Sequence, residues 1–143
     1  MRNIAVTPNF HFNGECEEAL ELYKKAFRGR LETLIRYSDA DANDFPAEAL
    51  SDNQRNYVYH AEMQIGSQRF FFSDSIDKIT KGQNVSVVLT FDNISDVKSA
   101  YGILSDGCTV IHPLREKTYS SCFVSLTDRF GIRWELMTET DPE

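Results

Sequence analysis

The chemistry open to this sequence rests on a few side chains: His11, His60, Glu62, Tyr119 and Glu135. An imidazole exchanges protons near neutral pH and can ligate metals, and a carboxylate accepts hydrogen bonds or holds a hard cation. His60 and Glu62 fall in the run from Tyr57 to Ile65, which alternates as a strand does. Such a strand puts His60 and Glu62 on one face and Tyr59 and Ala61 on the other. In the run from Ile132 to Thr138, alternation groups Ile132, Trp134 and Leu136 against Arg133, Glu135 and Met137. If Trp134 packs beneath a helix, Glu135 points away from it. His11 is out of phase with Phe10 and Phe12 and so shares their strand but not their face. His112, just before Pro113, reads as a strand-end residue. Tyr119 could stack on a ligand or pack on the surface. Cys122 has no base beside it in sequence, and thiolate activation needs a nearby cation, so it is not read as a nucleophile.

The elements that must position these residues repeat. Phe10 and Phe12 alternate with polar residues and predict a strand, followed by a helix to Phe27. Asn13 is the expected N-cap, acidic residues crowd the first turn, Lys24, Lys25 and Arg28 the last, and Gly29 is the expected C′ residue. Ala19, Leu22, Tyr23, Ala26 and Phe27 form the apolar stripe. Strands are then expected at Arg30 to Tyr37, Tyr57 to Ile65 and Gln68 to Ser73, with a tight turn at Gly66-Ser67. The acidic loop from Ser38 to Asn56 is expected to hold a short helical turn around Ala47 to Leu50. The second half repeats the order: a strand at Asn84 to Phe91, then a helix at Ser95 to Leu104 capped by Ser95 or Asn93, with Gly107 beyond. Strands follow at Cys108 to Leu114, Ser120 to Thr127 and Ile132 to Thr138.

Each half is therefore a β-α-β-β-β module, about 1–76 and 83–138, within one domain spanning 1–143. The fold class is α+β, with curved mixed sheets around a cleft. One such unit leaves a sheet face uncovered, and two can pair their sheets while the helices cover the other face. The formal net charge of −7 and the lack of a long basic run argue against nucleic acid as a partner. No apolar run is long enough to span a bilayer, and Met1-Arg2-Asn3 does not open a signal peptide, so no membrane partner is expected. Cys16, Cys108 and Cys122 are odd in number and widely spaced, which points to free thiols in a reducing cytoplasm.

Several stretches carry a family resemblance: Phe12-Asn13-Gly14 with Glu17-Glu18-Ala19-Leu20 and Tyr23; Tyr59-His60-Ala61-Glu62; Phe72-Ser73-Asp74; and Thr127-Asp128-Arg129-Phe130-Gly131-Ile132-Arg133-Trp134. Together they resemble the PhnB-like branch, also labelled 3-demethylubiquinone methyltransferase-like, of the vicinal oxygen chelate superfamily. That superfamily includes glyoxalase I, bleomycin-resistance proteins and extradiol dioxygenases. The resemblance implies a metal-ligating carboxylate at Glu135. On the chemistry of the residues themselves, His60 and then His11 could join it around a divalent cation. The remaining ligand positions fall near Thr7 or Pro8, Ser86, and Phe70 or Phe71, none of which is a good ligand. It also implies a cleft lined in part by Glu116 to Tyr119, and a homodimer.

Fold alone does not fix a reaction. The expected function is small-molecule binding of the glyoxalase/bleomycin-resistance type, with His11, His60, Glu62 and Tyr119 on the ligand. The alternative is a divalent-metal-dependent lyase, isomerase or dioxygenase acting on a small oxygen-rich substrate. Methyltransferase activity is rejected, because no Gly-rich strand-turn-helix motif for S-adenosylmethionine is present.

Overall fold

The computed structural model describes residues 3–45 and 50–140. The chain forms two compact units, Met1–Ile79 and Thr80–Glu143. In the first, β1 (Asn9–Phe12) leads into α1 (Cys16–Phe27), and β2 (Arg30–Arg36), β3 (Val58–Ile65) and β4 (Gln68–Asp74) follow. The sheet order is β1-β4-β3-β2. β1 runs parallel to β4, and the other pairs are antiparallel, so the sheet is mixed. The apolar stripe of α1, including Ala19, Leu20, Leu22, Tyr23, Ala26 and Phe27, is buried. So are Phe12, Ala61, Met63, Phe70 and Phe72 of the strands. Burying a side chain of this size contributes about 1.5–3 kcal/mol, so this layer is the unit's main stabilising element.

Two expectations about the ends of α1 change. Asn13 is not its N-cap; Glu15 stands there and its side chain makes no cap bond. Asn13 instead ties the chain after β4, its Nδ2 donating to the carbonyls of Ser75 and Asp77 and its Oδ1 accepting from Ile79 N–H. The capping acceptor comes from Asp74 at the end of β4. Its Oδ1 accepts from Gly14 N–H at 2.7 Å and Cys16 N–H at 3.0 Å, and its Oδ2 accepts from Val58 N–H at 2.9 Å. At the C-terminus the left-handed residue is Arg28 (φ 54°), not Gly29. Gly29 is needed for space: a Cβ there would run into the Sδ and Cγ of buried Met63.

The loop after β2 opens with a 3-10 turn at Tyr37–Asp39, where the expected strand has already ended. The helical turn expected around Ala47 to Leu50 falls mainly on residues 46–49, outside the described residues. A short helix, α2 (Asp52–Arg55), follows, closed by a capping box between Ser51 and Gln54.

The second unit repeats the topology: β5 (Val87–Phe91), α3 (Ile94–Leu104), β6 (Thr109–Lys117), β7 (Ser120–Thr127) and β8 (Arg133–Thr138), in the order β5-β8-β7-β6. β5 is parallel to β8, as β1 is to β4. Asn93 is the cap of α3, accepting from Asp96 N–H at 2.8 Å. Val97, Ala100 and Leu104 of the helix are fully buried, as are Val124, Leu126, Trp134 and Leu136 of the sheet. Asp128 organises the turn before β8. Its Oδ1 accepts from Phe130 and Ile132 N–H and its Oδ2 from the Trp134 indole. Among the described residues no helix is long and apolar enough to cross a membrane.

Candidate functional site

Because α1 covers one face of the first sheet, the other face carries the residues out of phase with the core. On β3 these are His60, Glu62 and Gln64, all half-buried; Glu62 and Gln64 lie between buried neighbours, and His60 between half-buried Tyr59 and buried Ala61. The β3–β4 register puts Phe71 opposite Glu62, and Arg69 and Ser73 follow on the same side. The parallel β1–β4 register sets His11 beside Ser73.

These side chains are joined. His60 Nε2 and Glu62 Oε2 lie 2.8 Å apart, and Arg69 reaches the other carboxylate oxygen at 3.6 Å. The His60 ring meets the Phe71 ring edge-on at 4.9 Å, and the Arg69 guanidinium lies over the same ring at 5.1 Å. His11 Nδ1 is 3.1 Å from Ser73 Oγ. With Nε2 of His60 committed to Glu62, Nδ1 is the ring nitrogen left for another partner. Gln64 Oε1 is buried and has no hydrogen-bond partner among the described residues.

On the second sheet Trp134 packs on the helix side, so Glu135 faces the other way, as the alternation predicts. Glu135 Oε1 accepts from Ser86 Oγ at 3.2 Å, and Oε2 lies 3.5 Å from the Arg133 guanidinium. Ser125 stands opposite Glu135 in the ladder, and Thr127 opposite Arg133. Tyr119 lies in the β6–β7 turn, 55% exposed. It meets Phe123 edge-on at 6.0 Å, and Lys117 Nζ lies 4.1 Å from the Phe123 ring centre. Cys122 is buried on the helix side, and burial raises its thiol pKa although Lys98 pulls the other way, so the thiol stays protonated. His112 is exposed on β6, opposite Ser125.

The five candidate residues thus separate by unit. His11, His60 and Glu62 share one face of the first sheet, while Tyr119 and Glu135 belong to the second unit. The sequence reading missed Arg69, Phe71 and Ser73 as companions of His60. The signal was present: Phe70 and Phe72 are the core pair, so Phe71 must face the other way.

A divalent metal fits these residues poorly. Among the described residues no group of three or more His, Cys, Asp or Glu is gathered as a metal requires.

S-adenosylmethionine fits no better at the one place where it would be sought, the β1–α1 turn. The N–H groups of Gly14 and Cys16, which could hold the cofactor's carboxylate, are spent on Asp74.

A family model described as 3-demethylubiquinone-9 3-methyltransferase matches residues 4–137. The chain belongs to that family. Among solved structures, protein PA1353 from Pseudomonas aeruginosa is similar at 25% identity and TM-score 0.82, covering 97% of this chain and 100% of its own. A putative 3-demethylubiquinone-9 3-methyltransferase, PhnB protein, from Bacillus cereus has 22% identity and TM-score 0.78, covering 94% and 99%. A mutant of the fosfomycin resistance protein FosX from Listeria monocytogenes, complexed with Mn(II) and 1S,2S-dihydroxypropylphosphonic acid, has 9% identity and TM-score 0.68, covering 98% and 95%. This last likeness is one of fold. No curated protein matches the chain. The family and the two-module α+β fold expected from the sequence are both borne out.

Proposed function

We propose that the protein binds a small organic ligand without a metal. The observation that carries this reading is the His60–Glu62–Arg69–Phe71 cluster. It offers a half-buried aromatic ring, a fixed imidazole with one nitrogen to spare, and a cation over the ring. Such a face suits a planar apolar body with a polar edge. His11 and Ser73 extend its polar edge. Methyl transfer is not part of the proposal, because the N–H groups of the β1–α1 turn already serve Asp74.

The protein works as a homodimer in the cytoplasm. Exposed Ile4, Val6, Val85 and Val88 support the first point as apolar surface that self-association could cover. The free thiols of Cys16, Cys108 and Cys122 support the second. A monomer in sedimentation at micromolar concentration would remove the dimer.

The test of binding uses catechol and salicylate as probes, followed by NMR of the histidine rings. Saturable shifts of the His60 ring, lost in Phe71→Ala, are expected. No response from His60 to either probe would overturn the reading.

A further inference from the structure

Two arginines of the first unit meet carboxylates in different ways. Arg36 is spent: its Nη1 and Nη2 donate to the two oxygens of Glu17 at 3.0 and 2.8 Å. Arg69 is not. Its Nη1 lies 3.6 Å from Glu62 Oε1, beyond the length of a hydrogen bond between charged groups. Glu62 meanwhile commits its other oxygen to His60 Nε2 at 2.8 Å. What holds Arg69 in place is the Phe71 ring, with the guanidinium carbon 5.1 Å from its centre. A guanidinium laid on an aromatic face keeps its N–H groups clear of the ring, because they point outward in the guanidinium's own plane. The Arg69 side chain is 53% exposed, so a ligand arriving from solvent meets that fork.

The neighbours set the sign and the shape of such a ligand. Gln64 pairs with Arg69 on one side and with Arg30 on the other, so two cationic side chains flank one uncharged residue on this face. Arg30 also meets its carboxylate, Glu32, only at 3.7 Å. Beside Arg69, the half-buried Phe71 ring and the His60 ring that meets it edge-on give an apolar, aromatic surface. The planar fork of an arginine matches the two oxygens of a planar oxyanion, whereas a single hydroxyl or a neutral amide uses only part of it. A carboxylate joined to a flat ring supplies those oxygens and an apolar body in one rigid plane. The group that opposes it is Glu62, the carboxylate already within reach of the same guanidinium.

We propose that Arg69 selects the ligand: the site takes a planar aromatic acid, whose carboxylate accepts two parallel N–H···O bonds from the Arg69 fork while its ring lies against Phe71 and His60. The inference rests on the small-molecule-binding reading and adds the ligand's charge and its polar group.

The test is an NMR titration of the whole protein with benzoate and with benzamide, which has the same flat ring and nearly the same size but no charge. Benzoate should shift the His60 ring and the Arg69 Nε–H saturably. It should bind roughly tenfold more tightly than benzamide, the advantage of a charge-assisted pair over a neutral one. Arg69→Gln should abolish that preference, and Glu62→Gln should enlarge it. An unchanged amide spectrum away from the site shows that both variants fold. Equal affinities in the wild type, a preference that survives Arg69→Gln, or displacement of benzoate by inorganic phosphate as readily as by salicylate would overturn the proposal. If catechol and benzamide shift His60 as strongly as benzoate does, only the charge selection fails. If none of the three does, the broader reading falls with it.

Discussion

Removing the carboxylate of Asp74 should destabilise the first unit more than any surface change. Asp74 is 2% exposed, and its two oxygens serve three backbone N–H groups: Gly14, Cys16 and Val58. Gly14 is exposed and can turn to water, whereas Cys16 and Val58 are 0% and 1% exposed. A buried donor left without its acceptor costs about 1–3 kcal/mol, so Asp74→Ala should cost about 4 kcal/mol. That is a large part of the roughly 5–15 kcal/mol of an ordinary domain. Asp74→Asn keeps one acceptor oxygen and should lose about 2 kcal/mol, because its NH₂ then faces a donor. Urea unfolding gives the loss, and amide exchange locates it: Cys16 and Val58 should lose protection in Asp74→Asn before distant strands do. A change below about 0.5 kcal/mol in Asp74→Asn, the size of an ordinary surface substitution, would refute the reasoning.

Gly29→Ala should cost about 1–3 kcal/mol by crowding Met63, measured by thermal or urea unfolding; a neutral result would show that Met63 yields freely. The bidentate hydrogen bonds from Arg36 hold the Glu17 carboxyl below its ordinary pKa. Its stabilising contribution is therefore present above the ordinary carboxylate value and is lost as pH falls through the lowered one. The Glu17 side chain is 57% exposed, so Glu17→Gln should cost less than about 1 kcal/mol at neutral pH, and acid unfolding curves should converge with wild type below that range. Burial drives the Cys16 thiol well above its ordinary pKa, so a thiol-reactive disulfide should spare Cys16 until the protein unfolds and reach half-buried Cys108 first. Early modification of Cys16, read by mass spectrometry, would contradict this.

Local signals carried much of the fold. The stripe of α1 and the alternation of β3 and β8 follow from periodicity alone, and they put His60 with Glu62 and Glu135 opposite Trp134. What was not legible depends on partners far along the chain. The cap of α1 comes from Asp74, about 60 residues downstream, so a local reading gave that role to Asn13. The need for glycine at position 29 comes from Met63 across the β2–β3 pair, not from the backbone angle that sequence rules invoke. Phe71 stands between the core residues Phe70 and Phe72, and strand alternation turns it to the face of His60, a partner the sequence does not name.

The most direct test of the central claim, ligand binding without a metal, is calorimetric titration of the purified, chelator-treated protein with Mn²⁺, Ni²⁺, Zn²⁺ and Fe²⁺. The arrangement of donors predicts no saturable site for any of them, and the same small response in wild type, His60→Ala and Glu135→Gln. One ion bound per chain with micromolar affinity, abolished by Glu135→Gln or His60→Ala, would contradict the account and establish a metal site.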